Sequence, residues 1–150
     1  MRYPYLLGIF LGVSSGSLAG LGAFTFIYAR GYSYAANNPT ACANCHVMRQ
    51  HYDTWARSSH HNVAVCNDCH TPHNLVGKLW IKGVNGYHHS AAFTTGRYPD
   101  NIRIKPRNAA VTEAACRHCH EDFVAAVDVT RRHGDELSCA RCHSTVGHLQ

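Results

Sequence analysis

The sequence has no cysteine outside four copies of one short motif, and little acidic charge. All eight cysteines lie in C-x-x-C-H units that begin at Cys42, Cys66, Cys116 and Cys139. A disulfide framework gives no reason for a His after every second cysteine, so this pattern argues against one. Lys and Arg outnumber Asp and Glu by 14 to 9, an excess too small and too scattered to indicate nucleic-acid binding. The net charge of +5 suits an acidic protein partner or an anionic membrane surface.

C-x-x-C-H is typical of covalent c-type haem attachment, in which the two thiols bond the haem vinyl groups and the His is placed to ligate iron. Structural zinc sites have no systematic His after each cysteine pair. Iron–sulfur clusters need four thiolates each, usually in other spacings. The sequence therefore predicts four covalently bound haems c, held by Cys42, Cys45, Cys66, Cys69, Cys116, Cys119, Cys139 and Cys142.

Four haems in a chain of 150 residues change the folding problem. The macrocycles are large and apolar, so they replace much of the side-chain core. We therefore expect a mainly α fold with short helices, long loops and little β-sheet. Folding should depend on haem, because the bound cofactor supplies much of the stability.

The segment from Leu6 to Tyr28 contains no charged residue and is longer than the roughly 20 residues that cross a bilayer as a helix. It predicts one N-terminal transmembrane helix, with residues 1–30 as a membrane anchor and 31–150 as a haem domain. A cleavable signal peptide, cut near Ser17-Leu18-Ala19, is the alternative, although the apolar run continues well beyond that point. Because bacteria attach c-type haem outside the cytoplasm, the haem domain should lie on the periplasmic side of the cytoplasmic membrane.

The spacing of the motifs indicates two dihaem halves. Cys42 and Cys66 are 24 residues apart, and Cys116 and Cys139 are 23 apart. This weak internal repeat predicts halves at about 36–100 and 101–150.

Local signals predict the connections. Asn85-Gly86 and Thr95-Gly96 predict turns between the two halves. Helical segments are expected from Glu113 to His120, with Thr112 as a cap, and from Glu121 to Arg132.

The first motif differs from the others because it continues His46-Val47-Met48. A Met ligand raises the potential of a haem relative to two His ligands. A lone Met can equally serve in packing, so the residue pattern alone leaves both roles open.

Taken together, the apolar N-terminus, the four motifs, C-A-N-C-H-V-M at 42–48 and S-H-H-N-V-A-V-C-N-D-C-H-T-P-H at 59–73 resemble the NapC/NrfH family. These are membrane-anchored multihaem quinol dehydrogenases. The resemblance covers almost the whole chain and is strongest to the NrfH branch, the small subunits of cytochrome c nitrite reductase. It implies a subunit that oxidises menaquinol and passes electrons to a periplasmic multihaem catalytic subunit in a hetero-oligomer. That partner, rather than this chain, would reduce nitrite to ammonium.

The resemblance also implies a set of axial iron ligands. Met48 would bind the first haem in place of His46, and His70 the second, whose sixth ligand can be a lysine of the catalytic subunit. The remaining pairs implied are His120 with His148 at the third haem and His143 with His61 at the fourth. His60, adjacent to His61, is the competitor for that last position.

The family's quinol site lies beside the first haem, and its Lys matches Lys82. The residue pattern alone favours a membrane-surface cation for this lysine. Where some members have Asp, this chain has His89, which could ligate iron, accept a quinol proton or do neither. His133 is a further candidate ligand. Packing or propionate contacts are the expected roles of His51, His73 and His118.

Three alternative functions fit the same residues. The chain could be a family member that serves another periplasmic reductase, such as a nitrate reductase. It could be an anchored electron-transfer cytochrome without a quinol site. It could also be a small-ligand sensor or reductase with an open first haem.

Overall fold

A computed structural model describes residues 3–99, 101–128 and 138–148 of the chain. Within these ranges the regular elements are helical and no strand occurs, which confirms the mainly α fold class. The α-helices are α1 (Tyr3–Tyr28), α2 (Pro39–Cys42), α3 (Arg49–Trp55), α4 (Cys66–His70), α5 (Leu75–Thr95), α6 (Pro106–Cys119), α7 (Glu121–Asp128) and α8 (Cys139–Cys142). Short 3-10 helices occupy Gly31–Ala35 and His46–Met48.

Helix α1 forms the predicted apolar segment as one continuous element. It has 26 residues, none of them buried, and its length and composition are sufficient to cross a membrane. The chain divides into two compact units between Ser33 and Tyr34. The sequence places its anchor boundary three residues earlier.

In the second unit, each attachment motif begins within a helix, which is short for the first, second and fourth motifs and has 14 residues for the third. Helix α2 starts at Pro39, whose fixed φ suits a first helical position. The Asn38 side chain accepts a hydrogen bond from the backbone N–H of Thr40 at 3.0 Å. Helix α4 spans the whole second motif, and the Asp68 carboxylate accepts a hydrogen bond from the backbone N–H of Val65 at 2.9 Å. Local hydrogen bonds thus stabilise the N-termini of α2 and α4, which carry cysteines of the first two motifs.

The turn predicted at Asn85-Gly86 is wrong, because helix α5 runs through both residues without a break. Instead of forming a turn, the Asn85 side chain accepts hydrogen bonds from Arg107 at 3.0 Å and Asn108 at 3.1 Å. The prediction at Thr95-Gly96 is correct: Gly96 adopts φ 65°, the left-handed conformation that commonly ends a helix.

Helix α6 begins at Pro106 rather than near Glu113, so Thr112 is an interior residue and not a cap. Its hydroxyl donates to the Asn108 carbonyl at 3.1 Å. Helix α7 follows from Glu121, as predicted; the expected end at Arg132 lies outside the described residues.

The motif-bearing helices pack in chain order. Helix α2 contacts α4, α4 contacts α6, and α6 contacts α8. Apolar side chains contribute little to this packing: in the described part of the chain, the buried apolar residues are Ile81 and Ala115. A small side-chain core is what the sequence leads us to expect of a domain built around large cofactors.

Candidate haem-binding and quinol site

The attachment thiols of successive motifs lie close together. Cys42 and Cys66 lie within hydrogen-bonding distance of each other. Cys69, in turn, lies near Cys119. The first motif therefore adjoins the second, and the second adjoins the third.

Glu113 links the third motif to the fourth. Its carboxylate accepts a hydrogen bond from the Ser138 hydroxyl and from the backbone N–H groups of Cys139 at 2.7 Å and Ala140 at 3.0 Å. Burial alone would raise the pKa of Glu113, but these hydrogen bonds outweigh burial and lower it. A carboxylate from α6 thus caps the N-terminus of α8, where the fourth motif begins.

Two pairs of imidazoles have the separation expected across an iron atom. With an iron–nitrogen distance of about 2 Å on each side, two axial His rings have centroids about 6 Å apart. His70 and His148 are 6.1 Å apart with nearly parallel rings, and His60 and His120 are 6.1 Å apart with rings at 66°. Burial, followed by His148 and His51, lowers the pKa of His70 to about 4, so its ring is neutral, as a metal ligand requires.

These contacts differ from the pairs that the family resemblance implies. His148 lies beside His70 and His51, and the described ring contacts do not join it to His120. His61 packs edge-on against Trp55 with centroids 6.1 Å apart, and no described ring contact joins His61 to His143. Sequence reasoning named His60 only as a competitor. Its adjacency to His61 was the one signal available.

The remaining candidates are placed as follows. Met48 is half-buried whereas His46 is exposed. His73 and His118 pack together with ring centroids 4.2 Å apart. His133 lies outside the described residues.

Lys82 and His89 both lie on α5 and reach the segment that precedes the first motif. The Lys82 ammonium donates to the Ala36 carbonyl at 2.9 Å, and burial together with Lys78 lowers its pKa. His89 shares a hydrogen bond of 2.8 Å between its Nδ1 and the Tyr34 hydroxyl. Burial, then His88 and Lys105, lower the pKa of His89, which keeps it neutral near pH 7.

Tyr34 joins this group, although sequence reasoning did not single it out. Burial, then the neighbouring Cys45 and Cys42, raise its pKa to about 12, so its phenol stays protonated. The structure therefore brings a cation, a neutral imidazole and a phenol together beside the first attachment motif. Such a set can bind a polar ring substituent and accept a proton.

A model of the NapC/NirT cytochrome c family, N-terminal region, matches residues 6–150. The chain belongs to this family. This membership confirms the resemblance inferred from the motifs, and it implies covalently bound haem c.

Among the similar members of this family is NrfH of Wolinella succinogenes, 35% identical over 140 residues, which are 85% of this chain and 79% of that protein. The cytochrome c nitrite reductase subunit NrfH of Nitratidesulfovibrio vulgaris is 31% identical over 147 residues, 98% of this chain and 87% of that protein. TorC of Escherichia coli is 25% identical over 134 residues, 71% of this chain but 34% of TorC.

A solved structure supports the same relationship. The chain matches the crystal structure of the cytochrome c nitrite reductase NrfHA complex bound to the HQNO inhibitor, with a TM-score of 0.65 and 28% identity. The match covers 93% of this chain and 90% of that one.

Proposed function

We propose that this chain is the membrane-anchored, quinol-oxidising subunit of a cytochrome c nitrite reductase complex. The observation that carries the proposal is end-to-end similarity: an NrfH subunit aligns with 98% of the chain. The apolar helix α1 fits the role of the anchor. In this proposal the haem domain lies on the periplasmic side, and the partner is a multihaem catalytic subunit that converts nitrite to ammonium.

The number of haems proposed is four, one for each C-x-x-C-H unit. The donor chemistry fits, because each unit supplies two thiols and a His, and the helices bearing successive units pack against one another. Bound haem supplies one-electron transfer, while the protein contributes its ligands and spacing.

For the iron ligands we propose a revised assignment. His70 with His148 and His60 with His120 form two bis-His sets, supported by their separations of 6.1 Å. Met48 is the protein ligand of the first haem, supported by its partial burial beside an exposed His46. His143 would ligate the fourth haem from its own motif. His61 is reassigned to packing against Trp55.

For the quinol site we propose the group formed by Lys82, His89 and Tyr34. Oxidation of menaquinol to the quinone releases two electrons and two protons. Lys82 binds a quinol oxygen. In the tautomer whose Nδ1–H donates to the Tyr34 hydroxyl oxygen, 2.8 Å away, neutral His89 has a free Nε2 that accepts one quinol proton, and the other proton is released to water. The electrons pass onward to the catalytic subunit.

The test uses the full chain with its haems, purified in detergent. A reduced menaquinol analogue is added and the growth of the haem α band is followed for wild type, Lys82→Leu and Lys78→Leu. Lys78 is the matched control, since it is a second half-buried cation on α5. We expect fast reduction in the wild type and the control, and at least a tenfold loss in Lys82→Leu with haem content unchanged.

Two results would contradict the proposal in different ways. Reduction by dithionite but not by the quinol would instead indicate an anchored electron carrier fed by another protein. Equal loss in both lysine variants would indicate a general effect of surface charge and would remove Lys82 from the site.

A further inference from the structure

Helix α5 carries an apolar stripe that faces away from the rest of the haem domain. Val76, Leu79, Trp80 and Tyr87 recur at helical spacing and are 80%, 62%, 68% and 71% exposed. With Gly83 and Val84, several of these side chains line a shallow apolar groove. A contiguous exposed apolar surface of this kind marks an interaction site.

The stripe is separate from the side of α5 that faces the first attachment motif. That side is identified by Lys82, which donates a hydrogen bond to the Ala36 carbonyl, and by His89, which shares a hydrogen bond with the Tyr34 hydroxyl. At 100° per residue, the centre of the stripe lies about a third of a turn from these two side chains. Ile81, the buried residue of the helix, is on the opposite side from Gly83 and Leu79.

The residues around the stripe indicate what covers it. The stretch 69–99 contains no Asp or Glu but carries Lys78, Lys82 and Arg97, so it complements an anionic surface. Trp80 and Tyr87 are the residue types enriched where a protein meets the headgroup region of a bilayer. Residues 29–33 alone connect the apolar helix α1 to Tyr34, which contacts α5 through His89, so the chain tethers α5 to the membrane that α1 crosses.

We propose that the outer face of α5, formed by Val76, Leu79, Trp80, Gly83 and Tyr87, is a second membrane contact that lies in the phospholipid interface. It is a face that inserts shallowly, in the manner of an interfacial amphipathic helix, and does not span the bilayer. The inference rests on the membrane anchorage in the proposed function. Its consequence is that Lys82 and His89 lie on a helix whose other side is in lipid, which gives a lipid-soluble quinol a short route to them.

The test uses the full haem-loaded chain with one new thiol, because the eight natural cysteines are all bonded to haem. Trp80→Cys and Tyr87→Cys are compared with Phe123→Cys on α7, where Phe123 is 72% exposed. Each variant is placed, one chain per disc, in lipid nanodiscs containing phosphatidylethanolamine and phosphatidylglycerol. Alkylation by a water-soluble maleimide and by a lipid-soluble alkyl maleimide is followed by intact mass. Leu79→Cys replaces any variant that fails to incorporate its haems.

We expect the water-soluble reagent to modify positions 80 and 87 at least tenfold more slowly than position 123, and the lipid-soluble reagent to reverse that order. Equal rates at all three positions with the water-soluble reagent would overturn the proposal, since the face would then be in water. Slow reaction with both reagents would also overturn it, because protein or haem would then cover the face. The labelling needs neither quinol nor nitrite. It can therefore disprove the membrane contact without affecting the proposal of quinol oxidation, and quinol oxidation can be disproved without affecting the labelling result.

Discussion

At the scale of single residues, Tyr34 stands out because it contacts the helix with the proposed quinol ligands and lies near the first attachment motif. Its hydroxyl is 2.8 Å from Nδ1 of His89, and Cys45 and Cys42 help raise its pKa. An imidazole that uses one nitrogen to hold its orientation presents the other to a substrate. Tyr34 therefore acts through His89 as a positioning residue.

We predict that Tyr34→Phe slows quinol-driven reduction by about tenfold while reduction by dithionite is unchanged. The phenyl ring keeps the packing but removes the hydrogen bond that orients His89. Stopped-flow absorption of the α band measures the rate, and Tyr32→Phe, at an exposed tyrosine nearby, is the control. An unchanged rate in Tyr34→Phe would show that the hydrogen bond has no part in the reaction.

The adjacent pair His60 and His61 allows a second residue-scale test. We predict that His60→Ala opens an axial position at one haem, so that the ferrous protein binds carbon monoxide there, whereas His61→Ala does not. The reason is that His60, and not His61, lies 6.1 Å from the ring of His120. The difference spectrum of the carbon monoxide adduct gives the number of opened sites. New binding in His61→Ala alone would restore the ligand assignment implied by the family resemblance.

At the scale of secondary-structure elements, α8 illustrates how the short motif helices are held. A helix of four residues is not stable by itself, because nucleation is costly and most of its amides lack partners. The Glu113 carboxylate on α6 is that partner for two amides, because it accepts hydrogen bonds from the backbone N–H groups of Cys139 and Ala140. The tertiary contact therefore stabilises the local fold of the fourth motif.

We predict that Glu113→Ala destabilises the haem-loaded domain by about 1 kcal/mol, the usual cost of losing a helix cap. Because the folded state lowers the pKa of Glu113, its contribution is present above the unfolded-state value and is lost as pH falls through the folded-state value. Thermal unfolding followed by Soret circular dichroism, at neutral pH and near pH 3, measures both effects. Glu121→Ala, at an exposed carboxylate, should leave the unfolding temperature nearly unchanged.

At the same scale, some local sequence signals predicted the ends of helices and turns correctly and others did not. Thr95-Gly96 was correctly predicted as a turn because the left-handed conformation found at Gly96 is a local requirement that glycine meets. Asn85-Gly86 failed as a turn signal because the Asn85 side chain finds partners on Arg107 and Asn108, which are distant in sequence. Thr112 was wrongly predicted as a cap because Pro106 starts the helix six residues earlier.

At the scale of the whole molecule, the spacing of the four motifs in the sequence does not predict all the contacts between the helices that carry them. The two-half division remains a prediction from that spacing, and the contact between α4 and α6 crosses its boundary. The cysteines could be selected from local motifs, whereas Met48 and Lys82 were assigned through the family resemblance. The ring pairs His70 with His148 and His60 with His120 could not, because they depend on how distant segments pack.

The central claim is that the chain carries electrons from quinol in a membrane to a nitrite-reducing partner. The most direct test reconstitutes the full chain in vesicles with a cytochrome c nitrite reductase catalytic subunit and measures ammonium formed from nitrite with menaquinol as the sole reductant. We predict sustained ammonium formation that requires both proteins and falls at least tenfold with Lys82→Leu. Quinol oxidation by the chain without ammonium formation, although dithionite drives the same catalytic subunit, would contradict the claim and indicate a different terminal reductase.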